Sequence, residues 1–125
     1  MPDPRHDLGR HAEEVVGAWL TTFGWRVLAT RWRCRRGEID LVCVDPDGVL
    51  VGVEVRARRS LRAGAPQESL DGRRLARLRA ALATYAVDAR PAHRGRRLDL
   101  VALSPLPDDP EARWLAQRIP AIGGW

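Results

Sequence analysis

Two carboxylates lie within apolar, strand-like stretches of the sequence, where burial of a charge is costly. Asp40 belongs to the stretch 37–44, and Glu54 belongs to the stretch 49–56. The residues between them, Asp45-Pro46-Asp47-Gly48, have the composition of a hairpin turn. Proline presets the φ angle that enters a type I turn, and glycine takes the left-handed position that follows it. The pattern therefore predicts an antiparallel hairpin with a three-residue loop.

With Pro46 to Gly48 as the loop, counting outward from the turn sets Asp40 directly opposite Glu54, on the same face of the sheet. Cβ atoms of opposed residues lie about 4.5–5.5 Å apart, so two like charges there destabilise the sheet. A divalent cation would remove this repulsion, because hard cations prefer oxygen ligands. One alternative stays open, in which Arg56 and other arginines neutralise the pair without any metal.

The elements that would position these residues follow from hydrophobic periodicity and from turn and capping residues. In chain order, they are a helix from about Leu8 to Phe23 capped by Asp7, a strand from Trp25 to Trp32, the two hairpin strands, a helix from about Leu70 or Asp71 to Ala86, a strand from Leu98 to Leu103 and a short strand from about Trp114 to Ile119. The core order α-β-β-β-α-β predicts an α/β fold in which helices cover an apolar sheet.

The first predicted helix carries a carboxylate on its buried side. Glu13 precedes Val16 and Leu20 on the same side of the helix, whereas Glu14 points toward solvent. A carboxylate at the edge of a core-facing stripe needs a compensating partner. We therefore expect Glu13 to face such a partner, and we expect Glu14 to need none.

The composition is that of an ordinary folded domain. With 125 residues, 45% hydrophobic and 30% charged, the chain is expected to form one domain, 1–125, with a core over about 7–103 and a C-terminal extension over 104–125. No stretch is apolar enough to span a membrane, and residues 1–10 lack the apolar segment of a secretory signal, so a cytoplasmic location is expected. Cys34 and Cys43 lack the spacing of a zinc or redox motif.

The chain is basic, and its positive charges cluster. The formal net charge is +5 and every basic residue is arginine, so nucleic acid, with DNA favoured, is the expected partner. Arginines flank the carboxylate end of the hairpin, with Arg31, Arg33, Arg35 and Arg36 before it and Arg58, Arg59 and Arg62 after it. On the second helix, the side opposite the apolar stripe carries Arg73, Arg77 and Arg79, with Arg74 nearby. Such a rim suits phosphate contacts, although a solvated basic surface remains the alternative.

The chain resembles the YraN-type family of small bacterial proteins, which is assigned to the restriction-endonuclease-like, PD-(D/E)xK superfamily. The resemblance rests on Leu8-Gly9-Arg10 followed by Glu13, on the stretch from Trp32 through Gly37-Glu38-Ile39-Asp40-Leu41 to Val42, on Val53-Glu54-Val55-Arg56 and on Leu98-Asp99-Leu100-Val101. It implies a restriction-endonuclease-like core with a mixed central sheet flanked by helices. It also implies that Asp40 and Glu54 bind Mg²⁺ or Mn²⁺, that Glu13 supports them, and that Arg56 and Arg74 occupy positions where the family has lysine.

Arg56 departs from the pattern of the superfamily, in which a lysine assists the attacking water. Arginine stays protonated in proteins, so Arg56 can hold a phosphate or orient a water but cannot act as a general base. The predicted register also sets Arg56 opposite Glu38, and a cross-strand salt bridge is its alternative role. In a chain without lysine, the replacement is either tolerated drift or the mark of a protein that no longer cuts.

Three functions therefore remain open from the sequence. The first is a magnesium-dependent nuclease that acts on DNA or on branched or structured nucleic acid by phosphodiester hydrolysis. The second is a non-catalytic nucleic-acid-binding module on the same scaffold. The third is a partner-binding protein whose acids and arginines only pair with each other. A homodimer would suit cleavage of a junction, although no residue argues for one.

Overall fold

A computed structural model of the chain describes residues 4–58 and 70–123, with side chains from residue 10 onward. The elements are α1 (Pro4–Thr22), β1 (Arg26–Cys34), β2 (Gly37–Val44), β3 (Leu50–Ala57), α2 (Gly72–Ala89), β4 (Arg96–Pro105) and β5 (Trp114–Ile119). The strands form a mixed five-stranded sheet in the order β1-β2-β3-β4-β5. The predicted α/β class, the mixed sheet and the flanking helices are thereby confirmed.

The direction of the strands follows from the lengths of their connections. β1, β2 and β3 pair antiparallel through short turns. β3 and β4 pair in parallel, which requires a long crossover, and the segment containing α2 supplies it. β5 pairs antiparallel with β4 at the far edge, so the segment beyond residue 103 adds a strand to the same sheet.

The sheet is buried between the two helices, one on each face. The α1 face contains Ala12, Val16, Leu20, Trp25, Leu41, Cys43, Val51, Val53, Val101 and Leu103. The α2 face contains Ile39, Val42, Val44, Leu50, Leu78, Ala81, Leu82, Tyr85, Leu98, Leu100 and Ile122. The central strands are thus apolar on both sides, as expected for strands in the middle of a sheet. Neither of the helices that the structure describes combines the length and the apolar character needed to cross a membrane.

The hairpin turn has the predicted loop and register. The Asp45 backbone N–H donates to the Val49 carbonyl at 3.0 Å, and the Asp45 side chain accepts from the Val49 N–H at 2.9 Å. Gly48 has a φ of 87°, the left-handed conformation that the turn requires of it. The ladder continues from Val44 opposite Leu50 to Leu41 opposite Val53.

The two helices begin differently from their predicted starts. α1 begins at Pro4 rather than Leu8, so Asp7 lies within the helix and does not precede it. Proline is favoured in the first helical turn because its missing N–H has no partner there. α2 begins after Asp71, whose side chain accepts from the Arg74 backbone N–H at 2.8 Å as an N-cap. Phe23, expected on the apolar face of α1, is instead 64% exposed, because the helix ends at Thr22.

Candidate metal centre

Asp40 takes an unusual position between β2 and β3. The ladder between these strands ends at Leu41 opposite Val53, one residue before Asp40. At Asp40 the side chain replaces the backbone as acceptor, since its Oδ2 accepts from the Val55 N–H at 2.8 Å. The predicted regular cross-strand pair between Asp40 and Glu54 is therefore not formed. The two carboxylates are brought together by an irregularity, with Asp40 held against the backbone of β3.

The alternation of side chains along β2 is interrupted at Asp40. Ile39 packs on the α2 face and Leu41 packs on the α1 face, although residues two positions apart on a regular strand share a face. The register sets Arg31 of β1 opposite Asp40, and Arg31 has a left-handed φ of 47°. This conformation is strained for a residue with a side chain, and it marks an irregularity in β1 at the same level. The irregularities in β1 and β2 together change which face of the sheet the β2 side chains point to. The residues on either side of Arg31 and Asp40 stay paired between the two strands.

The electrostatic environment of Asp40 opposes its ionisation. Burial, followed by the nearby charge of Glu54, raises the pKa of Asp40 from 3.8 to about 7. The hydrogen bond from the Val55 N–H and the charge of Arg74 act in the opposite direction on the same pKa. A carboxyl group with this balance is half ionised near neutral pH. An additional positive charge close to it would restore the ionised form.

Glu54 is buried, and its charge is unevenly compensated. Its side chain is 2% exposed, and its Oε1 contacts Nη2 of Arg74 and lies 3.7 Å from Nη2 of Arg56. Its Oε2 has no hydrogen-bond partner among the described residues. Nε of Arg56 and Nε of Arg74 are also buried, and neither has a partner in the described part of the chain. A buried carboxylate oxygen without a donor is rare, because the lost hydration is not replaced.

Glu13 lies near this pair, on the α1 side. Burial raises the pKa of Glu13, the charges of Glu38 and Glu54 add to that rise, and Arg31 opposes it. Nε of Arg31 lies 3.7 Å from Oε2 of Glu13. In the part of the chain that the structure describes, no three His, Cys, Asp or Glu side chains converge on one ion position. The role of Glu13 as a third ligand therefore stays a prediction.

Arg56 does not form the salt bridge with Glu38 that the register suggested. Glu38 pairs with Arg33 across β1 and β2, with 3.4 Å between Oε1 and Nε, and Arg56 turns toward Glu54 instead. The alternative in which arginines neutralise the acids applies to Glu54, since Arg56 and Arg74 both approach its Oε1. At Asp40 the hydrogen-bond donor is a backbone N–H, and the charge of Arg74 compensates the carboxylate only in part.

The basic residues of the predicted rim occupy several elements around the acids. Arg33 ends β1 with an exposed side chain, and Arg35 and Arg36 are exposed in the turn before β2. Arg58 follows β3 and is half-buried, and Arg74 lies in the first turn of α2. Arg59 and Arg62 lie outside the described residues. The described arginines of the predicted rim thus come from β1, the β1–β2 turn, the segment after β3 and α2, and of these Arg74 contacts Glu54.

Two arginines of the site, Arg31 and Arg77, were not singled out by reasoning from the sequence. Arg31 stood out only as a member of the basic rim, yet it carries the strained backbone and contacts Glu13. Arg77 stood out only as part of the exposed side of α2, yet it lines a cavity together with Arg74. The available signal for Arg77 is its spacing of one helical turn from Arg74.

The donor set around Asp40 and Glu54 fits a hard divalent cation. Mg²⁺ is commonly held by one or two carboxylates, with waters and substrate phosphates completing its shell. The two carboxylates supply oxygen ligands, and the unpartnered Oε2 of Glu54 is a free ligand atom. A cation beside Asp40 would also favour its ionised form.

Comparisons with known proteins point to one family. The model described as "Uncharacterised protein family UPF0102" matches residues 12–103, a range that contains Glu13, Asp40, Glu54 and Arg74. A UPF0102 protein from Anaeromyxobacter dehalogenans is 41% identical over 102 residues, which cover 82% of this chain and 75% of the relative. One from Pelotomaculum thermopropionicum is 42% identical over 103 residues, covering 82% and 85%. One from Pseudarthrobacter chlorophenolicus is 34% identical over 118 residues, covering 94% and 86%.

These matches confirm the resemblance to YraN-type proteins at the level of the family, and the assignment to the PD-(D/E)xK superfamily stays a prediction. The family model and the long alignments cover most of the sheet together with the residues of the candidate site. The chain therefore belongs to the UPF0102 family.

Proposed function

We propose that this protein is a metal-dependent nuclease that hydrolyses phosphodiester bonds in DNA or in structured nucleic acid. Asp40 and Glu54 would hold Mg²⁺ or Mn²⁺, and Glu13 would support them from α1. The metal would supply charge neutralisation at the phosphate and a bound water of lowered pKa. A cytoplasmic location belongs to the same proposal.

The observation that carries this proposal is the incomplete compensation of buried Glu54 and of the half-buried Asp40 beside it. Glu54 is 2% exposed, and one of its oxygens has no donor among the described residues. Burial and Glu54 together raise the pKa of Asp40 to about 7. Carboxyl groups whose pKa is raised by burial and by a neighbouring acid, as that of Asp40 is, cluster at functional sites.

The arginines around the acids have roles that follow from their chemistry. Guanidinium groups bind phosphate oxygens in a bidentate manner, which fixes the orientation of a phosphodiester. Arg56 lies within 3.7 Å of the buried acid, so it is positioned to hold a phosphate that reaches the site. Arg33, Arg35, Arg36, Arg58, Arg59 and Arg74 would contact the remainder of the backbone. Their contribution is independent of base sequence, because phosphate contacts carry no sequence information.

A second function is favoured by the arginine at the lysine position. Arg56 remains protonated and cannot take a proton from the attacking water. Arg74 already contacts Glu54, as a resident counter-ion would. Both features suit a non-catalytic nucleic-acid-binding module that keeps the scaffold of a nuclease.

A cleavage assay separates the two functions. Linear, nicked and junction DNA would be incubated with the protein in Mg²⁺ or Mn²⁺, with Asp40→Asn as the inactive control. We expect cleavage by the natural protein, loss of cleavage in Asp40→Asn and unchanged DNA binding in both. Cleavage by Arg56→Lys alone would identify a degenerate nuclease. Binding of DNA without cleavage by any variant would leave the non-catalytic module as the function.

A further inference from the structure

A cavity lies beside the acidic pair, between the β1–β2 turn and α2. Its volume is about 190 Å³. The residues that line it are Gly37, Glu38, Arg74, Arg77 and Leu78. Two of its five lining residues are arginines, so its character is that of an anion site.

The walls of this cavity are held together by a close backbone approach. A Cβ atom at Gly37 would lie 3.3 Å from the backbone carbonyl oxygen of Arg77, which is tighter than ordinary contact. The glycine therefore allows the β1–β2 turn to pack directly against α2. This contact fixes the distance between the turn and the two arginines.

Arg77 is available for a ligand. It is exposed, and its side chain makes no hydrogen bond or ion pair with the described residues. It follows Arg74 by three residues on α2, so the two guanidinium groups lie on neighbouring turns of one side of the helix. The acid in the cavity, Glu38, is already paired with Arg33. The positive charge of the cavity is therefore not cancelled by its own carboxylate.

Arg74 belongs both to this cavity and to the acidic pair. Its Nη2 contacts Oε1 of Glu54, while its Nε is buried and no described residue supplies a partner for it. Its side chain is 41% exposed, whereas that of Glu54 is 2% exposed. The arginine can therefore move toward solvent and the cavity, and the acid cannot follow it. While Arg74 stays on Glu54, its positive charge opposes the binding of a cation there.

We infer that the cavity is a phosphodiester-binding pocket formed by Arg74 and Arg77, and that Arg74 leaves Glu54 for the phosphate when the pocket is filled. The inference rests on the proposed function, because it assumes that Glu54 binds a cation. A phosphate offers Arg74 two oxygens in bidentate geometry, which replace the single oxygen that Glu54 now offers. The exchange removes the competing charge of Arg74 from Glu54, so the metal binds there more tightly when nucleic acid is present. Phosphate binding and metal binding are then coupled, and the coupling is reciprocal.

The experiment measures the Mn²⁺ dissociation constant by electron paramagnetic resonance, with and without thymidylyl-thymidine, which carries one phosphodiester. Without the dinucleotide, Arg74→Gln should bind Mn²⁺ about tenfold more tightly than the natural protein, since a positive charge near the cation is gone. The dinucleotide should tighten Mn²⁺ binding to the natural protein and should have a smaller effect on Arg74→Gln. Arg77→Gln should keep the natural affinity for Mn²⁺ alone and lose the gain from the dinucleotide. Arg73→Gln removes the same charge from α2 outside the cavity, and it should behave as the natural protein does.

Three results would overturn the inference while leaving the proposed function intact. They are weaker Mn²⁺ binding by Arg74→Gln, an undiminished gain in Arg77→Gln, and an equal gain in Arg74→Gln and the natural protein. The last result would mean that the phosphate meets the cation without any movement of Arg74.

Failure of the proposed function gives a different pattern. In that case neither the natural protein nor Arg74→Gln binds Mn²⁺ in a manner that depends on Asp40. This result would exclude both the metal site and the movement of Arg74 away from Glu54. The pocket is then tested alone, by binding of a labelled DNA duplex in EDTA. Arg77→Gln should weaken that binding about tenfold and lower the salt slope by about one, whereas an effect no larger than that of Arg73→Gln would exclude the pocket. Inorganic phosphate as a competitor distinguishes two kinds of pocket. It should displace the duplex only weakly from a pocket for the nucleic-acid backbone, and it should displace the duplex readily from a pocket for the free anion.

Discussion

Two groups of acids are buried in the same sheet, and they differ in how their oxygens are satisfied. Asp99 of β4 is fully buried, and it accepts from Nε and Nη2 of Arg97, from Nη1 of Arg118 and from the Ala121 N–H, all at 2.8–3.1 Å. Arg97 also reaches Oδ2 of Asp45 at 3.0 Å. Around Glu54, by contrast, one carboxylate oxygen and two guanidinium nitrogens have no partner within residues 4–58 and 70–123.

The difference separates an acid that builds the fold from acids that are poised for a ligand. Asp99 ties β5 and the segment after it to β4, and the guanidinium groups of Arg97 and Arg118 stack on Trp25. Its network is closed, because both oxygens are shared among donors of the protein. The network of Asp40 and Glu54 is open, and a cation or a phosphate would complete it. Burial alone does not distinguish the two groups, whereas the count of unmet hydrogen bonds does.

The largest effect on stability should follow from breaking the closed network. Asp99→Asn leaves two arginines facing an amide, so we expect a loss of about 3–5 kcal/mol of unfolding free energy. Glu54→Gln, the matched change in the open network, should lose less than half as much, because it also removes the repulsion with Asp40. Urea unfolding followed by tryptophan fluorescence measures both. Equal losses would remove the distinction between the two networks.

The second effect concerns the pH dependence of the metal-free protein. Burial and the charge of Glu54 hold the pKa of Asp40 at about 7 in the folded state, against an ordinary value of 3.8. The folded state therefore retains a proton that the unfolded state has released. This proton on Asp40 stabilises the folded state fully below about pH 4, and the stabilisation is lost as the pH rises through 7. The total loss is about 1.4 kcal/mol for each unit by which the folded and unfolded pKa values differ.

Asp40→Asn isolates this contribution, since the amide oxygen can still accept from the Val55 N–H. In EDTA, the natural protein should lose stability relative to Asp40→Asn between pH 4 and pH 8. A difference that stays constant across this range, or that grows in favour of the natural protein, would contradict the environment assigned to Asp40.

The third effect is stabilisation by metal, which only the open network should show. At a free Mn²⁺ concentration one hundred times the dissociation constant, the unfolding free energy should rise by about 2.7 kcal/mol. The rise should vanish in Asp40→Asn and in Glu54→Gln and should persist in Glu14→Gln, which removes an exposed acid of α1. Thermal unfolding across a Mn²⁺ titration measures the shift. An equal shift in all four proteins would indicate binding elsewhere.

The smallest effect tests the strain in the strand opposite Asp40. Glycine adopts the left-handed conformation of Arg31 without steric conflict, so Arg31→Gly should raise the unfolding free energy by about 1 kcal/mol. Arg33→Gly, in the same strand without a positive φ, should lower the unfolding free energy by about 1 kcal/mol. Chemical unfolding of the two variants side by side measures the contrast. Destabilisation of both by the same amount would exclude stored strain at Arg31.

The sequence was sufficient for the parts of the site that depend on local rules. Pro46 and Gly48 define the turn, and the turn defines the register as far as Leu41 opposite Val53, one residue short of Asp40 and Glu54. Asp99 likewise lies among apolar residues of β4, where a buried acid needs a charged partner, and Arg97 and Arg118 are its partners.

The sequence was insufficient where the outcome depends on packing between distant elements. The stretch 37–44 alternates regularly as written, and the interruption at Asp40 becomes visible only with the left-handed Arg31 on the neighbouring strand. Long arginine side chains reach several acids from one backbone position, so the choice of Glu54 by Arg56 and Arg74 depends on where α2 packs. The same packing creates the cavity beside Arg77.

Anomalous diffraction from a crystal soaked in Mn²⁺ tests the shared metal site most directly. The account predicts a peak between the carboxylates of Asp40 and Glu54, with the free Oε2 of Glu54 among the ligands. A well-ordered site without such a peak, in which Glu54 contacts only Arg56 and Arg74, would contradict it.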